Sequence, residues 1–111
     1  MKYHNPEWSS RLNAILEICE NRERASNMVA IALNDPSPEF IEAFAIGVLA
    51  VSSDLNERRL ALLSFSHSAR RHRRIAFPET RSIAQKFRND PDLGGAAEST
   101  LEDFDVFVPE R

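Results

Sequence analysis

Apolar residues return along this chain at intervals of three and four. Trp8, Leu12, Ile15, Leu16 and Cys19 make one stripe, at the 3.6-residue period of an amphipathic helix. Asn5-Pro6-Glu7 stands before it. That triplet supplies a capping residue, a proline suited to the first turn and an acid that complements the helix dipole. After a polar break at 21–23, Ala25, Met28, Val29, Ala32 and Leu33 predict a second helix. Asn34-Asp35-Pro36-Ser37-Pro38 ends it, because two prolines cannot continue a helix.

A third helix is predicted over 38–51. Ser37 caps it, and Phe40, Ile41, Phe44, Ile46, Val48, Leu49 and Val51 surround its axis. A helix apolar on nearly every side is enclosed by others. Asp54, with Glu57 three residues on, resembles a capping box that opens a fourth helix. Leu55, Leu62, Phe65 and Ala69 lie on one side of it, Leu60 and Leu63 on the other. The apolar pattern stops at Arg70-Arg71-His72-Arg73-Arg74. Ile75-Ala76-Phe77-Pro78 is a connection, and a fifth helix near 79–88 turns Ile83, Ala84 and Phe87 inward. Beyond Asn89-Asp90-Pro91-Asp92, Gly94-Gly95 predicts a flexible joint. A single turn near Thr100–Phe104 and an extended Asp105–Pro109 follow.

The expected fold is therefore all-α. It has four to five short helices packed antiparallel, an irregular bundle or short array over 1–93, with an acidic, partly flexible tail over 94–111. Leu33-Asn34-Asp35-Pro36-Ser37-Pro38-Glu39-Phe40-Ile41-Glu42-Ala43-Phe44-Ala45 resembles the turn and second-helix start of a HEAT-type repeat. Asp54–Leu63 resembles a second copy, and Asn-Asp-Pro recurs at 89–91. The resemblance covers about half the chain and implies a protein-binding scaffold with no particular chemistry.

Composition changes this picture little. With 111 residues, 42% apolar and 28% charged, the chain has the makings of one ordinary globular domain. The single Cys19 excludes an intramolecular disulfide and suits a reducing compartment. The longest uncharged run, Ala43–Ser53, is far shorter than the ~20 residues a membrane span needs. No apolar signal segment follows Met1. These features predict a cytoplasmic protein that does not enter membranes.

Charge changes the picture more. The formal charge runs −4 over 1–55, +7 over 56–88 and −6 over 89–111. Such sorting shapes what a protein attracts. The leading reading is a non-enzymatic protein that inhibits or regulates a macromolecular partner, most simply a basic protein. Its acidic and apolar contact residues would be Glu17, Glu20, Glu23, Leu101, Glu102, Asp103, Phe104, Asp105 and Phe107. The profile of size, charge and fold resembles bacterial immunity and inhibitor proteins, which implies an enzyme or toxin acting on nucleic acid as the target. A second reading takes Arg58, Arg59, Arg70, Arg71, Arg73 and Arg74 as a nucleic-acid face, with the acidic tail as an intramolecular competitor. A third completes the apolar faces by homodimerisation.

Catalysis and cofactors find no support in the pattern. Ser64, Ser66, His67 and Ser68 invite comparison with a nucleophile site, but no glycine-framed elbow or oxyanion loop accompanies them. His67 and His72 are five apart and do not share a helix face as metal ligands do at i, i+4. No catalytic residue, metal ligand or cofactor site is expected.

Overall fold

The computed structural model describes residues 29–109 of the chain. The predicted first helix, with Glu17, Glu20 and Glu23 on it, lies outside the described residues, as do Ala25 and Met28. Every described element is helical, and no strand occurs among the described residues. The expected all-α class holds.

Residues 29–34 are helical and stop at Asp35, whose N–H donates back to the Ile31 carbonyl. The Asp35 carboxylate then accepts the Ser37 N–H at 2.9 Å, and Ser37 Oγ accepts the Phe40 N–H at 3.1 Å. Two successive side-chain caps turn the chain into α1, Pro38–Val51. Phe40, Ile41, Ala43, Phe44, Ala45, Ile46, Val48 and Leu49 are all buried, as an axis apolar on nearly every side requires.

The second helix, α2, spans Leu55–His72 with Asp54 as its cap. The box at its start is more elaborate than the sequence suggests. Asp54 accepts the Glu57 N–H, while Ser52 Oγ accepts the Asp54 N–H and donates to the buried Glu57 carboxylate. Helix α2 packs against α1 on one side and against the C-terminal helix on the other. Of the predicted apolar positions, Leu62, Phe65 and Ala69 are buried and Leu60 packs against the core, whereas Leu55 is exposed. The helix ends at Arg73, which takes the left-handed conformation at φ 59°, ψ 27°. That position terminates helices and usually belongs to glycine.

The third helix, α3, is Pro78–Lys86 and has no side-chain cap of its own at Phe77. A carboxylate from α1 instead fixes the chain that leads into it. Glu42 is buried, and accepts the Ala76 N–H at 2.7 Å, the Phe77 N–H at 3.1 Å and the Thr80 hydroxyl at 2.6 Å. Three donors meet one carboxylate, so the start of α3 is held on the middle of the bundle.

The largest departure from expectation is at the C-terminal end. Gly94–Phe107 is a 14-residue helix, α4, where the sequence pattern predicts a joint, one turn and an extended piece. Asp90 accepts the N–H groups of Asp92 and Leu93 and so folds the approach. Leu93, Ala97, Thr100 and Phe104 then form an inward stripe, all fully buried. Thr100 satisfies its hydroxyl on the carbonyls of Leu62 and Ala96. Gly94 does not act as a hinge. A Cβ there would sit 2.7 Å from the Arg88 carbonyl oxygen, so only glycine permits the approach of the two backbones.

Candidate functional site

The arginine block divides into distinct tasks. Arg58 donates to the carbonyls of Leu49 and Ser52 at 3.0 and 2.8 Å and lies over the Phe87 ring. It closes the C-terminal end of α1, where carbonyls are left without helical partners and a cation is favourable. Arg71 does the same for the Ala32 carbonyl at 2.9 Å. These two are structural. Arg59 is exposed. Arg70, Arg73 and Arg74 stand at the end of α2 and face other partners.

Those partners come mostly from α4. Asp103 pairs with Arg70 at 3.0 Å and also accepts the hydroxyl of the buried Ser66. Asp105 pairs with Arg81 at 3.5 Å, and Glu98 lies 3.9 Å from Arg88. Phe107 lies beneath the guanidinium groups of both Arg70 and Arg73, at 5.8 and 5.4 Å from its centroid. Arg81 covers Phe104 at 5.4 Å. The acidic segment is thus seated on the protein's own basic block. Half-exposed ion pairs of this kind stabilise by only about 0–1 kcal/mol each, and the ring contacts by about 0.5–1 kcal/mol. Apolar burial of Leu93, Ala97 and Phe104 holds the helix, and its charges add alignment.

This placement fixes where the residues of the expected partner-contact set stand. Phe104 is part of the core, Leu101 packs against it, and Phe107 is engaged by two arginines. None of the three stands free as an apolar anchor. Asp103 is turned inward to Ser66 and Arg70. Glu102 and Asp105 are exposed, and so is Val106, at 70%. Val106 is the apolar residue of this helix that does face solvent, and the sequence pattern did not single it out.

A cleft of about 720 Å³ opens where the end of α2, the start of α3 and the chain beyond α4 meet. Arg73, Arg74, Ile75, Pro78, Arg81, Val108 and Pro109 line it. Arg74 is paired with Glu39 at 2.9 Å. Desolvation pushes the Glu39 carboxyl up, but the Arg74 hydrogen bond and charge, its own backbone and Ser37 outweigh that and hold it below the usual carboxylate range. Arg73 makes no ion pair to any described residue.

Along α2, the Ser64 and Ser66 hydroxyls turn to separate partners. Ser64 donates to the Leu60 carbonyl, and Ser66 is committed to Asp103. Burial pushes the His67 imidazole down, the Arg70 charge adds to this, and Asp103 opposes it. Ser68 Oγ and His72 Nε2 are buried without a hydrogen-bond partner among the described residues. Among the described residues no three His, Cys, Asp or Glu side chains converge as metal ligands. No helix among them is long and apolar enough to cross a membrane.

No family model matches this chain, and neither a curated protein nor a solved structure matches it.

Proposed function

We propose that the protein is a non-enzymatic binding protein whose arginine face takes a nucleic acid, with α4 as an intramolecular competitor for that face. The observation that carries this reading is the seating of an acidic helix on the basic block, through Arg70–Asp103, Arg81–Asp105 and Arg88–Glu98. Carboxylates placed where phosphates would sit are a built-in mimic of a polyanion. Arg59, Arg70, Arg73 and Arg74 are exposed, and their planar guanidinium groups suit bidentate phosphate contacts. The pairs formed with Asp105 and Glu98 are long and exposed, so a strand of phosphates can displace them.

Capture of a basic protein partner is the second reading. It draws on Glu98, Glu102 and Asp105, which are exposed at i, i+4 and i+7 of α4 beside Val106. The inward turn of Leu101, Phe104 and Phe107 leaves that reading with less apolar surface than the sequence pattern promised.

The test is binding of short labelled DNA, single- and double-stranded, followed by fluorescence anisotropy across a salt series. The reading predicts binding at low salt that weakens linearly in log–log form as counterions compete. No binding of either strand form at low salt contradicts it.

A further inference from the structure

We infer that the cleft lined by Arg73, Arg74 and Arg81 is a pocket for a nucleoside monophosphate group, its phosphate on the arginines and its base against Ile75, Pro78, Val108 and Pro109. The nucleotide is either free or the 5′ end of a strand. The larger ligand rests on the nucleic-acid reading; the pocket's chemistry does not.

The first argument is charge. Three arginines line one cleft, and among the described residues two of them have carboxylate partners. Those partners are exposed: Glu39 at 37% and Asp105 at 73% of their side chains. Arg81 holds Asp105 at 3.5 Å, a loose contact for a charge-assisted hydrogen bond. Among the described residues Arg73 has no carboxylate and lies over the Phe107 ring. A dianionic phosphate neutralises the surplus, and the forked geometry of arginine matches its oxygens.

The second argument is backbone. Arg73 sits at φ 59°, the one non-glycine residue with positive φ among those described. Left-handed backbone strains a side-chain-bearing residue, and glycine would terminate the helix without that strain. Conformations retained at such a cost concentrate where a side chain is needed in a particular place. Here the turn delivers Arg73 and Arg74 to the cleft in succession.

The third argument is the remaining wall. Ile75, Pro78, Val108 and Pro109 offer an apolar surface beside the cations. A cleft with one charged end and one apolar wall fits a ligand of the same division. Its volume lies within the roughly 300–1,000 Å³ of small-molecule sites. Inorganic phosphate would use only half of it.

Titration of the full chain with AMP, adenosine and inorganic phosphate tests the pocket. A pair of oligonucleotides differing only in a 5′-phosphate tests the source of the nucleotide. AMP is expected to bind at least about tenfold more tightly than adenosine or phosphate. Arg81→Gln and Arg73→Gly should each weaken AMP about tenfold or more, with Lys86→Gln, at an exposed position outside the cleft, leaving it unchanged. Melting curves of the variants confirm that each is folded. A preference for the 5′-phosphorylated strand identifies a strand end as the ligand; AMP binding without that preference identifies a free nucleotide. Equal binding of AMP and adenosine, equal binding of AMP and phosphate, absence of AMP binding, or indifference to Arg73→Gly overturns the inference. Oligonucleotide binding without AMP binding overturns the pocket and leaves the nucleic-acid reading standing. AMP binding with no oligonucleotide binding does the reverse.

Discussion

Asp103 and Arg70 meet at 3.0 Å although 33 residues separate them, and the carboxylate oxygen that makes the pair also takes the Ser66 hydroxyl. One oxygen thus ties α4 to α2 through a charge and a neutral donor. Arg70 is half exposed and its charge is screened, but Ser66 is buried. Asp103→Ala should therefore destabilise the fold by about 1–3 kcal/mol, mainly by leaving the Ser66 hydroxyl without an acceptor. Arg70→Ala should cost less, about 0–1 kcal/mol. Chemical denaturation measures both; equal losses, or a larger one for Arg70→Ala, contradict this division.

Glu42 gives the fold a pH dependence of definite sign. Desolvation by burial raises its pKa, against three hydrogen bonds from Ala76, Thr80 and Phe77 that lower it. A carboxyl raised in the folded state binds its proton more readily folded than unfolded, so stability falls as pH climbs from the unfolded value through the raised one. Glu42→Gln removes that term. The stability of the wild type relative to Glu42→Gln should decline as pH rises from about 4 to neutrality. A relative stability that increases over that range contradicts the assignment.

The two adjacent glycines should respond in opposite directions to alanine. At Gly94 a Cβ meets the Arg88 carbonyl oxygen at 2.7 Å, a backbone atom that cannot step aside. Gly94→Ala should cost about 1–3 kcal/mol through forced backbone shifts. At Gly95 a Cβ meets nothing within 4 Å, so Gly95→Ala should stabilise by about 0.4–1 kcal/mol through reduced freedom of the unfolded chain. Melting temperatures that move together contradict the close approach described for Gly94.

Arg73→Gly separates folding from binding. Glycine removes the left-handed penalty of about 1–2 kcal/mol and loses a ring contact to Phe107 of about 0.5–1 kcal/mol. The melting temperature should hold or rise while affinity for the cleft ligand falls. A lowered melting temperature would show that Arg73 is kept for stability.

Most of the helical framework is legible in the residues because punctuation and period agree. Asn34-Asp35-Pro36-Ser37-Pro38 and Asp54 with Glu57 mark helix starts by chemistry local to the chain, and the caps form where those residues stand. Helix α4 escapes because its inward stripe carries Ala97 and Thr100 where an apolar pattern needs larger residues. The buried hydroxyl of Thr100 finds its partners on Leu62 and Ala96, the first supplied by another helix. Gly94-Gly95 reads as a break, and only the proximity of the Arg88 backbone gives its first glycine another purpose. Glu42 is an acid within an apolar helix, and its three donors lie 34 to 38 residues onward. Local pattern cannot see such a brace. The arginine block is visible as a run, but the split between helix-closing Arg58 and Arg71 and the cleft-lining Arg73 and Arg74 depends on which carbonyls and carboxylates the fold brings near.

Deleting 94–111 would remove Ala97, Thr100 and Phe104 from the core, so it cannot isolate the electrostatic role of α4. Glu98→Gln with Asp105→Asn can, because both side chains are exposed and their pairs with Arg88 and Arg81 are the loosest of the set. The decisive measurement is the affinity of this double variant for single-stranded DNA across a salt series, beside the wild type. Two released arginines should tighten binding and steepen the log–log salt slope by about 0.7 for each phosphate newly contacted. Affinity and slope that stay at wild-type values, or binding that weakens, would contradict α4 as the competitor for the arginine face.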